Sequence, residues 1–79
     1  MSWCLYLLEC ADGSYYAGIT NDLENRIKAH NDGLGAKYTR GRGPVKLLAQ
    51  QDFENRSEAS KAEIAIKKLP KSQKLGFFA

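Results

Sequence analysis

Tyr6, Tyr16, Arg26, His30 and Glu63 are polar residues set on or beside apolar stretches of a short chain. A stable small domain would normally place Leu or Val at such positions, because a polar group turned toward a core costs stability unless it is hydrogen-bonded or used. Their types describe one reaction. A carboxylate can hold Mg²⁺ or Mn²⁺ through one or two oxygens, leaving waters and a phosphate oxygen to complete the shell. An arginine can grip that phosphate with two donors and offset charge developing on it. A tyrosine hydroxyl whose proton is loosened by a neighbouring cation can accept a proton from an attacking water, and a histidine beside it can relay that proton. Together these amount to metal-assisted hydrolysis of a phosphodiester. Each residue also has an ordinary role: core tyrosines for Tyr6 and Tyr16, an ion pair with Glu24 or Asp22 for Arg26, a helix C-cap for His30, and an i, i+4 pair with Lys67 for Glu63.

The elements that must position them are legible from pattern. Residues 3–10 read as a strand apolar on both faces, hence central in its sheet, and they carry Tyr6. Asp12-Gly13 predicts a two-residue hairpin, and residues 14–19 return antiparallel with Tyr16. Gly18 is unfavourable in a strand unless a helix, a phosphate or the Tyr6 ring must approach the backbone there. Asn21 with Glu24 predicts an N-cap and a helix from Asp22 to Asn31, anchored by Leu23 and Ile27. On that helix Arg26 stands about 60° and His30 about 20° from Leu23, so the two share a patch bordering the core stripe. Pro44 opens a third strand to about Phe53. Asn55 with Glu58 caps a second helix, about 56–69, with Ala59, Ala62, Ile66 and Leu69 on one stripe and Glu63 at its edge; Pro70 stops it. Residues 71–79 add a short helical turn. The expected fold is α+β: a three-stranded antiparallel sheet flanked by helices, in the order β-β-α-β-α.

Size and composition bound the rest. Seventy-nine residues make a single domain, 1–79, with a modest core. Hydrophobic residues are 43%, which argues against disorder. No apolar run approaches the roughly 20 residues that cross a bilayer, and no positive charge precedes the first apolar run as in a signal peptide. The expectation is a soluble cytoplasmic protein with no membrane partner. In a bacterium it would sit at the nucleoid, and for a viral protein in the host nucleus or cytoplasm. Cys4 and Cys10 lie at the two ends of one strand, roughly 20 Å apart, too far for a disulfide. With one histidine they also fall short of a structural zinc set. The net charge is +3 and the pI about 9.0. The charge is concentrated in Lys37, Arg40, Arg42 and Lys46, interleaved with glycines and Tyr38, and in Lys67, Lys68, Lys71 and Lys74, with no acidic residue in either cluster. The first cluster is the expected DNA surface, Lys37, Arg40 and Arg42 on phosphates and Tyr38 stacking on an unpaired base.

The ordered set resembles the GIY-YIG endonuclease domain over nearly the whole chain, and most closely its small stand-alone UPF0213 group, which in turn resembles the Slx-type structure-specific nucleases. The first tripeptide stands as Cys4-Leu5-Tyr6, keeping its tyrosine, and the second as Tyr16-Ala17-Gly18, keeping Tyr and Gly. The tyrosines are ten residues apart, from 6 to 16. Arg26, His30 and Glu63 fall at the family's helix arginine, its following histidine and its metal-binding glutamate. His30-Asn31-x-Gly33 and Ala36-Lys37-Tyr38-Thr39-Arg40-Gly41-Arg42-x-Pro44 resemble the stand-alone group's signature. The resemblance implies a one-metal DNA endonuclease of repair or recombination. In it Tyr6 is the general base or water-orienting group, supported by Tyr16 and His30. Arg26 is on the phosphate, and Glu63 binds Mg²⁺ or Mn²⁺. It implies DNA as partner, branched or single-strand-containing, and a protein partner supplying specificity. A binding module without catalysis and a protein-interaction module are the alternatives: the first would need the basic loop but not Glu63, the second neither.

Overall fold

The computed structural model describes residues 2–33 and 43–78. In chain order it comprises β1 (Trp3–Glu9), β2 (Tyr15–Thr20), α1 (Leu23–Asn31), β3 (Lys46–Phe53), α2 (Arg56–Lys67), α3 (Lys71–Lys74) and a closing 3₁₀ turn (Leu75–Phe78). The sheet is antiparallel in the order β2-β1-β3, so β1 is central. It is buried on both faces, as a strand without alternation should be, with Leu5, Leu7 and Leu8 at 0% exposure.

The pleat divides the core in two. Leu5 and Leu7 face α2, packing with Ala17, Ala62 and Ile66, and the C-terminal Phe77 and Phe78 close over that side. Tyr6, Leu8 and Cys10 face the other way, packing with Val45, Tyr16, and Leu23 and Ile27 of α1. Ala59 and Ala62 line the buried stripe of α2 with Ile66, and side chains this small let the helix lie close on the sheet. Cys4 and Cys10 are buried free thiols. Among the described residues no helix is long and apolar enough to cross a membrane.

Four boundaries differ from the sequence reading, each through a particular hydrogen bond. The hairpin is not a two-residue turn. Cys10 N–H donates to the Ser14 carbonyl and Gly13 N–H to the Cys10 carbonyl, closing a three-residue loop with Gly13 at φ 84°. Asp12 Oδ1 accepts from both Ser14 N–H and Ser14 Oγ and holds that longer turn. The first helix is capped by Asp22, not Asn21. Thr20 Oγ1 accepts from Asp22 N–H, and the Asp22 carboxylate takes Asn25 N–H and Nδ2. β3 begins at Lys46 rather than Pro44, since the Val45 N–H goes to Asn31 Oδ1 at 2.6 Å. α2 ends at Lys67, where Lys68 and Leu69 turn to i→i−3 bonds ahead of Pro70.

The Asn31–Val45 bond joins the end of α1 to the start of β3, 14 residues on. Asn31→Ala leaves a part-buried backbone N–H unpaired. It should lower the unfolding free energy by about 1–3 kcal/mol, read as a shift in urea midpoint at constant m-value.

Candidate active site

The site is assembled by β1, β2 and α1, with α2 reaching it round the edge of the sheet. Tyr6 on β1 pairs across the sheet with Gly18 on β2. A Cβ at Gly18 would stand 2.5 Å from Tyr6 Oη and 2.7 Å from Tyr6 Cζ. The approach left open in the sequence reading is therefore that of the Tyr6 ring. Only glycine lets that ring cross the edge strand.

Tyr6 Oη lies 3.0 Å from His30 Nε2, a buried contact, with Tyr6 at 1% and His30 at 1% exposure. Tyr16 completes an aromatic trio: its ring centre is 5.2 Å from that of His30 and 6.4 Å from that of Tyr6. Arg26, one turn before His30 on α1, has its guanidinium in hydrogen-bonding reach of both tyrosine hydroxyls, and Tyr6 holds it firmly protonated. Glu63 on α2 comes to the same place. Its side chain is 24% exposed, and its charge acts on the Tyr6 hydroxyl. The structure thus brings together the five residues marked in the sequence. The basic loop residues Lys37, Tyr38, Arg40 and Arg42 lie outside the described residues.

The electrostatics revise one expectation. The neighbouring cation does not loosen the Tyr6 proton. Burial pushes the hydroxyl above its ordinary range, and Tyr16 and Glu63 push the same way, against the opposing pull of Arg26. Tyr6 is a neutral hydroxyl. Burial, aided by the charge of Arg26, also drives His30 below its ordinary 6.5, so the imidazole is neutral at pH 7. In the tautomer that carries the ring proton on Nδ1, His30 Nε2 would accept the Tyr6 hydrogen.

The donor set suits a hard cation. Among the described residues no three His, Cys, Asp or Glu side chains gather into a metal cage. Glu63 offers a partly exposed carboxylate, paired with Lys67, that could hold such a cation through one or two oxygens.

The GIY-YIG catalytic domain model matches residues 2–75, which include every part of this cluster. The chain belongs to the GIY-YIG family. Within it, the chain is 62% identical over 71 residues to a UPF0213 protein of Clostridium perfringens, covering 90% of this chain and 76% of that one. To a UPF0213 protein of Xanthomonas axonopodis pv. citri it is 56% identical over 75 residues, covering 95% and 74%. The solution structure of a protein from E. faecalis superposes with a TM-score of 0.68 at 48% identity, covering 98% of this chain and 82% of that one. The UPF0213 protein of Bacillus halodurans gives 0.59 at 49%, covering 94% and 79%. The degenerate tripeptides Cys4-Leu5-Tyr6 and Tyr16-Ala17-Gly18 keep the three residues whose contacts build the GIY-YIG site here: the two tyrosines and the glycine under them.

One neighbour is more than its sequence position implies. Lys67 makes the expected pair with Glu63, at 3.2 Å, but its ammonium also lies 6.0 Å from the centre of the Tyr16 ring. The i, i+4 spacing signals the pair; nothing local signals a ring on another element.

The His30 shift sets a pH dependence. The unfolded chain protonates its histidine near pH 6.5, and the folded chain only at lower pH. Between those two values the unfolded state binds more protons, so stability falls as pH drops through that window and is level above it. Urea unfolding from about pH 5 to 8 should show this slope. His30→Gln should flatten it.

Proposed function

We propose that this protein is a metal-dependent endonuclease that hydrolyses phosphodiester bonds in DNA. One observation carries the reading: a buried neutral tyrosine hydroxyl is held between a neutral imidazole and an arginine, with a single carboxylate beside it. Pure core packing would leave such a set costly. Its fit is to general base catalysis on a water next to an anion.

The neutral state of both groups points to a relay. Tyr6 Oη accepts a proton from the attacking water as it passes its own proton to His30 Nε2, so no free tyrosinate is needed. Arg26 binds the phosphate and offsets the charge that grows on it. Tyr16 keeps the His30 and Tyr6 rings in place. Glu63 would hold Mg²⁺ or Mn²⁺, which when bound would supply Lewis-acid stabilisation to the phosphate. Lys37, Arg40 and Arg42 remain the proposed contacts to DNA phosphates on the strength of their sequence, with Tyr38 on an unpaired base, and DNA repair or recombination remains the proposed setting.

Incubation with supercoiled and branched DNA, with Mg²⁺, Mn²⁺ or EDTA, tests the function. Cleavage should require the divalent cation. Glu63→Gln should lower the rate by on the order of a hundredfold or more while DNA binding persists. Wild-type cleavage by that variant would remove the metal role. DNA binding by the wild type without cleavage under any condition would leave a binding module.

Tyr6→Phe keeps the ring and removes the hydroxyl. Its rate should fall by about 10²–10⁴-fold. Because His30 Nε2 loses its buried donor, stability should also drop by about 1–3 kcal/mol. A loss of stability with unchanged specific activity would make Tyr6 a structural tyrosine.

A further inference from the structure

The charge balance of the site includes a cation so far assigned only to an ion pair. Arg26 and Lys67 contribute two positive charges and Glu63 one negative, while Tyr6 and His30 are neutral. Before any metal binds, these side chains carry one net positive charge, which favours an anion. Arg26 reaches the hydroxyls from α1, and Lys67 stands at the rim on α2.

The other ion pair of α2 serves as a comparison. Lys61 and Glu58 are 3.5 Å apart with side chains 71% and 52% exposed, an ordinary solvated pair. Glu63 is drawn in to 24%, and its partner Lys67, 53% exposed, is placed against the Tyr16 ring. Two other lysines of the same cluster are committed elsewhere. Lys71 donates to the Gly13 carbonyl and lies 4.7 Å over the Tyr15 ring, and Lys74 donates to the Ile66 carbonyl at 2.9 Å. Lys67 alone of the three has its ammonium on the catalytic tyrosine side. The Lys67 ammonium is half-exposed on a flexible four-carbon stem, so it can swing toward a phosphate at the rim.

We propose that Lys67 is a ligand of a substrate phosphate, the second cation of the site, held ready at its rim by Glu63 and Tyr16. The inference rests on the nuclease reading and adds to it a residue that binds the DNA backbone independently of the metal.

The test measures binding of a labelled branched DNA in EDTA across a range of NaCl, so that neither metal nor cleavage enters. Lys67→Ala should bind more weakly, and its slope of log K against log salt should be shallower by about 0.9, the value of one phosphate contact. Lys67→Arg should keep the wild-type slope. Lys61→Ala, which removes a lysine from an equivalent pair on the same helix, should keep it as well. A wild-type slope for Lys67→Ala overturns the proposal, as does an equal loss in Lys61→Ala, which would make the effect one of overall charge. Lys67→Gln is the second variant should the alanine variant fold poorly. If the wild type binds no DNA, this proposal falls together with the nuclease reading. If the wild type binds and cleaves while Lys67→Ala keeps its slope, the lysine proposal alone fails.

Discussion

The site depends on the absence of one carbon atom. Tyr6 sits on the central strand, enclosed on its own face of the sheet, and its hydroxyl must travel across β2 to reach anything polar. Gly18 is the cross-strand partner that allows it: a Cβ there would fall 2.5 Å from Tyr6 Oη and 3.2 Å from Tyr16 Cε2. Every other contact follows from that passage. The hydroxyl meets His30 because α1 packs on this face through Leu23 and Ile27. Glu63 can act on it because β2 is the edge strand and α2 lies against it from the other side. Larger residues at position 18 would not merely crowd the site. They would displace the Tyr6 ring and take its hydroxyl away from His30.

Burial then decides the protonation states. One cation next to a tyrosine could loosen its proton, and Arg26 does pull in that direction. Enclosure outweighs it, because the tyrosinate would lose water on nearly all sides. The same enclosure keeps His30 uncharged, and the arginine adds to that. The two effects are complementary. A neutral tyrosine is a poor base alone, but beside an imidazole with an open lone pair it becomes one member of a proton path. The arginine stays protonated, and in the proposed nuclease its service is electrostatic, toward a phosphate.

How much of this was legible in the sequence can be judged from particular residues. The five site residues were visible because each broke a pattern that a core would keep. The fold class followed from one doubly apolar run, one turn and two capped helices. Boundaries were missed where side chains compete for backbone groups. Asn21 was read as the cap because a Glu lies three residues on. What decides for Asp22 is its second bond, to Asn25 Nδ2, and the hold of Thr20 on its N–H. Asp12 similarly lengthened a turn that its Asp-Gly pair alone would have kept at two residues. Val45 was read as strand because it is apolar and follows Pro44, while its N–H belongs to a residue 14 positions earlier. Protonation was missed for a different reason: enclosure is a property of the packed fold, and no spacing rule reports it.

The Asn31 bond also bears on how a fold of this size holds the surroundings of the site together. The fold is small, and its polar site already takes up part of one core face. Among the described residues no buried side-chain nitrogen or oxygen lacks a partner, so the site's enclosure does not leave an unsatisfied debt. His30 ends the buried face of α1, and Asn31, the next residue, fastens the start of β3. The segment that carries Lys37, Tyr38, Arg40 and Arg42 therefore leaves and rejoins the described fold beside His30. Its ends are fixed relative to the tyrosines by one side-chain bond, whatever contacts its own residues make.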